Sequence, residues 1–192
     1  MNIENYYYYL KSVIPHRICD DIVKYGKSIS DHMAVTGGFG NKKLNKKQVV
    51  DLKKKRNSNI VWMNDRWIYK EIQPYIHQAN ESAGWNFQWD WSESCQFTKY
   101  KKGQYYDWHC DSWEKPYIRE NSNEPDHGKI RKLSVTLSLS DPEDYKGGEL
   151  EFDFRNKDPD KKPNIKKCTE ILPVKSGERN SLVIWNLGWP YK

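Results

Sequence analysis

His109 and Asp111 are the side chains of this 192-residue sequence best suited to holding a metal ion. They close the run Tyr100-x-x-Gly103-x-x-Tyr106-x-x-His109-x-Asp111, which ends on a predicted strand. Residues two apart on a strand face the same way, so the imidazole and the carboxylate can grip one ion while Cys110 points to the other side. A second histidine would complete a two-histidine, one-carboxylate facial triad, the set that leaves positions on non-haem iron open for a co-substrate and dioxygen. A bare His-x-Asp also arises as a polar pair at a strand end, so its neighbourhood has to decide.

The elements that must position this pair follow from periodicity. An apolar stripe after Pro15 (Ile18, Ile22, Val23, Ile29) predicts a helix to about His32. A second stripe, Trp67, Ile68, Ile72, Tyr75, Ile76 and Ala79, predicts another helix capped by Asn64 or Asp65 and stopped by Gly84. Beyond Gly84 the pattern alternates, first in Trp85-Asn86-Phe87-Gln88-Trp89 and then in strand-like pieces at 95–100, 105–110, 133–139, 149–154 and 181–187. Helices first and many short strands afterwards predict a mainly β, α+β fold: a jelly roll, or double-stranded β-helix, buttressed by N-terminal helices. The expectation is a single domain over 1–192, helical over 1–84 and jelly roll over 85–192, with no linker and no internal repeat.

Composition adds bounds. No apolar run is long enough to span a bilayer and the start Met1-Asn2-Ile3-Glu4-Asn5 has no signal character, so a cytoplasmic location is expected. Four cysteines, Cys19, Cys95, Cys110 and Cys168, form no Cys-x-x-Cys pair and are expected to be reduced thiols. The net charge of +6 gathers in polar stretches at 42–56 and 157–167, which read as solvated loops before they read as a nucleic-acid groove. Nine tryptophans and thirteen tyrosines can fill a core or wall a peptide site.

From residue 85 onwards the sequence resembles the prolyl-4-hydroxylase-like 2-oxoglutarate oxygenases, particularly their short bacterial and phage members. The resemblance rests on the Gly103 turn with Tyr100 and Tyr106, on His109-x-Asp111, on Arg131-Lys132-Leu133-Ser134 leading to Asp141-Pro142 and Gly147-Gly148-Glu149-Leu150, and on Arg179-Asn180-Ser181-Leu182-Val183-Ile184-Trp185. It implies Fe(II) on His109 and Asp111, and 2-oxoglutarate between Tyr100 and Tyr106 with its far carboxylate on Arg179, whose planar fork suits that role. Ascorbate would be an accessory reductant. The implied reaction decarboxylates 2-oxoglutarate to succinate and hydroxylates a prolyl residue in a peptide or protein, docked against aromatics such as Trp108, Trp113 or Tyr117. Asp111 speaks against a halogenase, where a small residue replaces the carboxylate.

One motif breaks the pattern. Relatives place the second iron histidine about ten residues before the arginine, where this sequence has Thr169, and no histidine follows His127. His127 lies in the turn-rich run Asn123-Glu124-Pro125-Asp126-His127-Gly128 and reads as a loop residue. The expectation drawn here is that a strand and its histidine are omitted between about Ile171 and Lys175. The competing functions are a nucleic-acid demethylase of the same superfamily, disfavoured because its second arginine would fall at Trp185, and a non-catalytic jelly-roll binding module if the histidine is truly absent.

Overall fold

In chain order the elements are α1 (His16–Ser28), β1 (His32–Met33), α2 (Lys46–Lys55), β2 (Arg56–Asn57), β3 (Asn59–Met63), α3 (Arg66–Ser82), β4 (Trp91–Ser92), β5 (Cys95–Tyr100), β6 (Tyr105–His109), β7 (Ile130–Ser138), β8 (Tyr145–Gly147), β9 (Leu150–Phe152), β10 (Thr169–Ile171), β11 (Val174–Gly177) and β12 (Arg179–Gly188). The structure is a computed structural model that describes residues 6–35, 45–112, 115–153 and 168–191.

Both predicted helices form, and their stripes explain their place. Ile18 and Ile22 of α1 and Ile68, Ile72 and Ile76 of α3 are buried in one cluster with Val61 and Met63 of β3, Phe97 of β5, and Leu182 and Ile184 of β12. The spacing of four puts each set on one helix face, so the helices cover one side of the large sheet. α1 comes close enough that Gly26 lies against the Phe97 ring, where an added Cβ would stand 2.5 Å from a ring carbon.

The large sheet runs β1, β3, β5, β12, β4, with β7 on the other side of β12. β12 is its axis: Arg179 to Val183 pair with β5, and Ser181 to Gly188 pair with β7. A smaller sheet runs β2, β6, β10, β9, and β11 pairs with β8. Tyr100 of the large sheet packs with Ile171, Val174, Tyr106 and Leu150, so a second apolar cluster lies where the sheets meet. Among the described residues this is a mainly β arrangement with three helices and no closed barrel.

Several expectations are corrected. α2 forms within the 42–56 stretch that read as a solvated loop; Asn45 and Gln48 make a capping box at its start, yet only Leu52 is buried, which is why no stripe announced it. The 157–167 stretch lies outside the described residues. Trp85 to Trp89 is not a strand: the side chain of Asn80 ties Phe87 N and O, and the sheet edge begins only at β4. The strands are not confined to residues beyond 84 either, because β3 pairs with β5 along its full length. The free-thiol expectation fails for two cysteines, since Cys110 and Cys168 form a disulfide, while Cys19 and Cys95 are free.

The expected omission before Lys175 is also overturned. Leu172 and Pro173 alone join β10 to β11, and their neighbourhood is fully bonded: Leu172 N donates to Glu149 O at 3.0 Å, Val174 N to Gln104 O at 3.1 Å, and Gly148 N to Pro173 O at 3.2 Å. No backbone is left waiting for a lost strand.

Candidate active site

β6 carries the predicted metal pair, and a bulge sets its geometry. Tyr106 pairs with Ile171 and His109 with Thr169, so three steps along β6 match two along β10. The extra residue brings Tyr106 and His109 to one face, where their rings stack with centroids 3.5 Å apart and planes 10° from parallel. His109 Nδ1 lies 2.8 Å from Asp107 O, a carbonyl that can only accept, so this nitrogen is the donor and Nε2 is the one turned toward Asp111. Nε2 faces Asp111 Oδ1 at 3.5 Å. Ser134 Oγ donates to the other carboxylate oxygen, and Arg131 Nη1 donates to Asp111 O at 2.8 Å. Burial pushes the Asp111 carboxyl up, but His109, Ser134 and Arg131 outweigh it and hold the pKa at about 2. The imidazole and the carboxylate thus converge on one point.

Arg179 opens β12 and is 4% exposed. Its guanidinium lies 5.6 Å from the Tyr100 ring centroid and donates to Ser181 Oγ at 3.2 Å. Gly148 permits this placement: at φ 68° it approaches so closely that an added Cβ would stand 3.0 Å from Arg179 Cδ and 2.9 Å from a Val174 methyl. Sequence reasoning missed a second buried arginine. Arg56, at the end of the chain's most lysine-rich stretch, is also 4% exposed, lies 4.4 Å above the Tyr106 ring, and donates to Ser58 Oγ at 2.9 Å and Gln96 Oε1 at 3.5 Å. Neither arginine has a carboxylate partner among the described residues, and Arg56 Nη2 is buried without any partner there. Burial raises the Tyr100 phenol, against the pull of Arg56 and Arg179, and the Asp111 charge reaches both Tyr100 and Tyr106. The five predicted residues, His109, Asp111, Tyr100, Tyr106 and Arg179, therefore share one region.

Thr169 stands opposite His109 in the β6–β10 register, on the same face of the small sheet. Its Oγ1 is buried and has no hydrogen-bond partner among the described residues. Beside it, Cys168 is bonded to Cys110 and its N donates to His109 O at 3.1 Å. Cys110 does face away from the metal pair, as expected, and is used there to lock the two strands together. His127 is not drawn in, because its Nδ1 accepts from Arg119 N at 3.1 Å within its own loop. No group of three His, Cys, Asp or Glu side chains able to hold a metal occurs among the described residues.

A family profile described as the 2OG-Fe(II) oxygenase superfamily matches residues 95–190, half of the chain. The chain belongs to this superfamily. By class this oxygenase is a 2-oxoglutarate-dependent dioxygenase that uses Fe(II) and 2-oxoglutarate, in agreement with the resemblance seen in its sequence. Its fold is similar to that of a viral collagen prolyl hydroxylase from Paramecium bursaria Chlorella virus-1 in complex with 2OG, at 21% identity and TM-score 0.62 over 93% of this chain and 94% of that one. It is also similar to a Pseudomonas putida prolyl-4-hydroxylase, at 17% identity and TM-score 0.54 over 92% and 87%. No curated protein matches the chain. The donor set fits Fe(II) in part: His109 Nε2 and Asp111 converge as ligands must, and no third protein ligand of a facial triad stands with them among the described residues.

Next to the metal pair the oxygenase builds an aromatic wall. Arg131 makes two hydrogen bonds of 2.6 Å to Glu93 and lies 3.9 Å above the Trp185 ring, and Tyr117 OH donates to Glu93 Oε1 at 3.0 Å. Trp62, 45% exposed, packs at 6.2 Å from Trp185. Of the aromatics expected here, Tyr117 belongs to this network, Trp108 is half-buried on β6, and Trp113 lies outside the described residues. Glu93 and Arg131 carried no periodic signal in the sequence; Arg131 stood out only as part of the family-like run. No helix among the described residues is long and apolar enough to cross a membrane.

Proposed function

We propose that this oxygenase hydroxylates prolyl residues in a peptide or protein, on a double-stranded β-helix scaffold, with His109 and Asp111 as metal ligands and Arg179 as anchor for the far carboxylate of 2-oxoglutarate. The observation that carries the co-substrate reading is the pair of buried arginines flanking Tyr100 and Tyr106, neither with a carboxylate partner among the described residues. A buried charge without a partner costs several kcal/mol, so such a wall stands ready for a dicarboxylate. Bound iron would supply the oxidation of 2-oxoglutarate by dioxygen to succinate and carbon dioxide, coupled to C–H hydroxylation.

The chain's own residues do the rest. Asp107 O holds His109 in the tautomer that presents Nε2, Tyr106 fixes the ring's plane, and Ser134 holds the carboxylate. Arg179 and Arg56 keep the pocket wall positive, and Tyr100 shields it from water. Exposed Trp62, backed by buried Trp185, suits an extended proline-containing segment, whose polyproline conformation loses little entropy on docking. The structural neighbours described as prolyl hydroxylases support the substrate class. The nucleic-acid reading is weaker because Trp185, at the place of the second arginine, is engaged by Arg131. The test is incubation of the protein with Fe(II), 2-oxoglutarate, ascorbate and proline-rich peptides: succinate release together with a peptide mass gain of one oxygen is expected. Metal and 2-oxoglutarate binding without either product would favour the binding-module reading, to which the absence of a third ligand histidine points.

A further inference from the structure

A metal site missing one protein ligand either fills that place with another side chain or leaves it to something small from solution. The register singles out the residue concerned. Thr169 is directly opposed to His109 across an antiparallel pair, so both side chains leave the same face. The disulfide between Cys110 and Cys168 and the Cys168 N–His109 O hydrogen bond fix that opposition from both sides. A threonine hydroxyl is neutral at ordinary pH and a poor ligand beside an imidazole and a carboxylate. It is nevertheless a donor and an acceptor, and here Oγ1 is buried with neither use met among the described residues. Orphaned buried hydroxyls are rare enough to signal a missing partner.

We propose that the metal of this oxygenase is held by two protein side chains, His109 and Asp111, and that the coordination position facing Thr169 is taken by an exogenous ligand, water at rest, which Thr169 Oγ1 hydrogen-bonds without ligating the metal itself. The proposal rests on His109 and Asp111 being the metal's ligands. It explains the orphaned hydroxyl, the short link between β10 and β11, and the absence of any histidine beyond His127 as features of one site.

Two measurements on the full chain decide it, neither needing turnover. Line broadening of bound Mn(II) in water enriched in the magnetic isotope of oxygen counts metal-bound waters, with 2-oxoglutarate present to occupy its own positions. Thr169→His should carry one bound water fewer than the native protein and should bind Co(II) on the order of tenfold tighter or more, a factor equal to about 1.4 kcal/mol. Thr169→Val keeps the shape without the hydroxyl; it should retain the water count and hold Co(II) within about threefold, since the lost contact is only a hydrogen bond. Equal water counts in the native and Thr169→His proteins, or a Thr169→Val loss of tenfold or more, overturns the proposal by showing that another group or the hydroxyl itself is the third ligand. His109→Ala should abolish Co(II) binding; persistence of binding there would instead remove the site reading on which the proposal stands.

Discussion

The Tyr106 ring lies face to face with the His109 imidazole, and the Arg56 guanidinium lies over the same tyrosine, 4.4 Å from its centroid. The proposed metal ligand is therefore linked through the Tyr106 ring to an arginine on β2. Tyr106→Ala should remove the surface against which the imidazole rests and weaken Co(II) binding about 10- to 100-fold, the range usual for groups that orient a ligand. Tyr106→Phe keeps the stack and should bind Co(II) nearly as the native protein does. Calorimetric titration of both variants checks this, and equal weakening would mean that the phenol oxygen, not the ring, matters.

Arg179→Met should weaken 2-oxoglutarate binding about 10- to 100-fold by removing a charge-assisted pair of hydrogen bonds, while leaving Co(II) affinity unchanged. Arg56→Met should also weaken 2-oxoglutarate, by a smaller factor, because its charge is buried in the same wall but across Tyr106. Titrating each variant with the co-substrate separates the two roles. An Arg56→Met protein with native affinity would reduce Arg56 to a packing residue.

The Cys110–Cys168 bond closes a loop of 58 residues of sequence separation. Loop-closure entropy predicts a contribution of roughly 2–4 kcal/mol, so a dithiol reductant or Cys110→Ser should lower the melting temperature by about 5–15 °C. It should also loosen the β6–β10 pair and weaken metal binding. An unchanged melting temperature under reduction would show that the bond does not form in solution.

Gly26→Ala sets two effects against each other. Alanine favours the helix by up to about 1 kcal/mol, but its methyl would meet the Phe97 ring at the centre of the core. Overpacking of this kind costs about 1–3 kcal/mol, so chemical denaturation should show a net loss of stability with the site chemistry intact. A stabilised variant would mean that α1 can move away from β5 at little cost.

The parts of this fold visible in the sequence were those written in a period. The four-residue spacing of Ile68, Ile72 and Ile76 placed α3, and the two-residue spacing of His109 and Asp111 placed the metal pair on a common side. Arg179 was recognisable because its strand follows a family order. What escaped is written in tertiary register: β3 looked like part of a helical region because five residues carry too little pattern, and α2 is polar on nearly every face. Cys110 and Cys168 become neighbours only when β10 lies beside β6, and so does Thr169 with His109. The absent histidine suggested a deletion because a sequence shows only that a letter is wrong. The pairing of β10 shows a strand in place beside β6, with Thr169 opposite His109.

The bond between Cys110 and Cys168 also decides what a protease could do to this molecule. Every peptide bond from Asp111 to Lys167 lies inside the closed loop, so a single cut there would leave both fragments tethered, with His109 on one and Thr169 on the other still held in register. Nicked protein would migrate as one band without reductant and as two with it. The two halves of the candidate site would part company only when that covalent tie was broken.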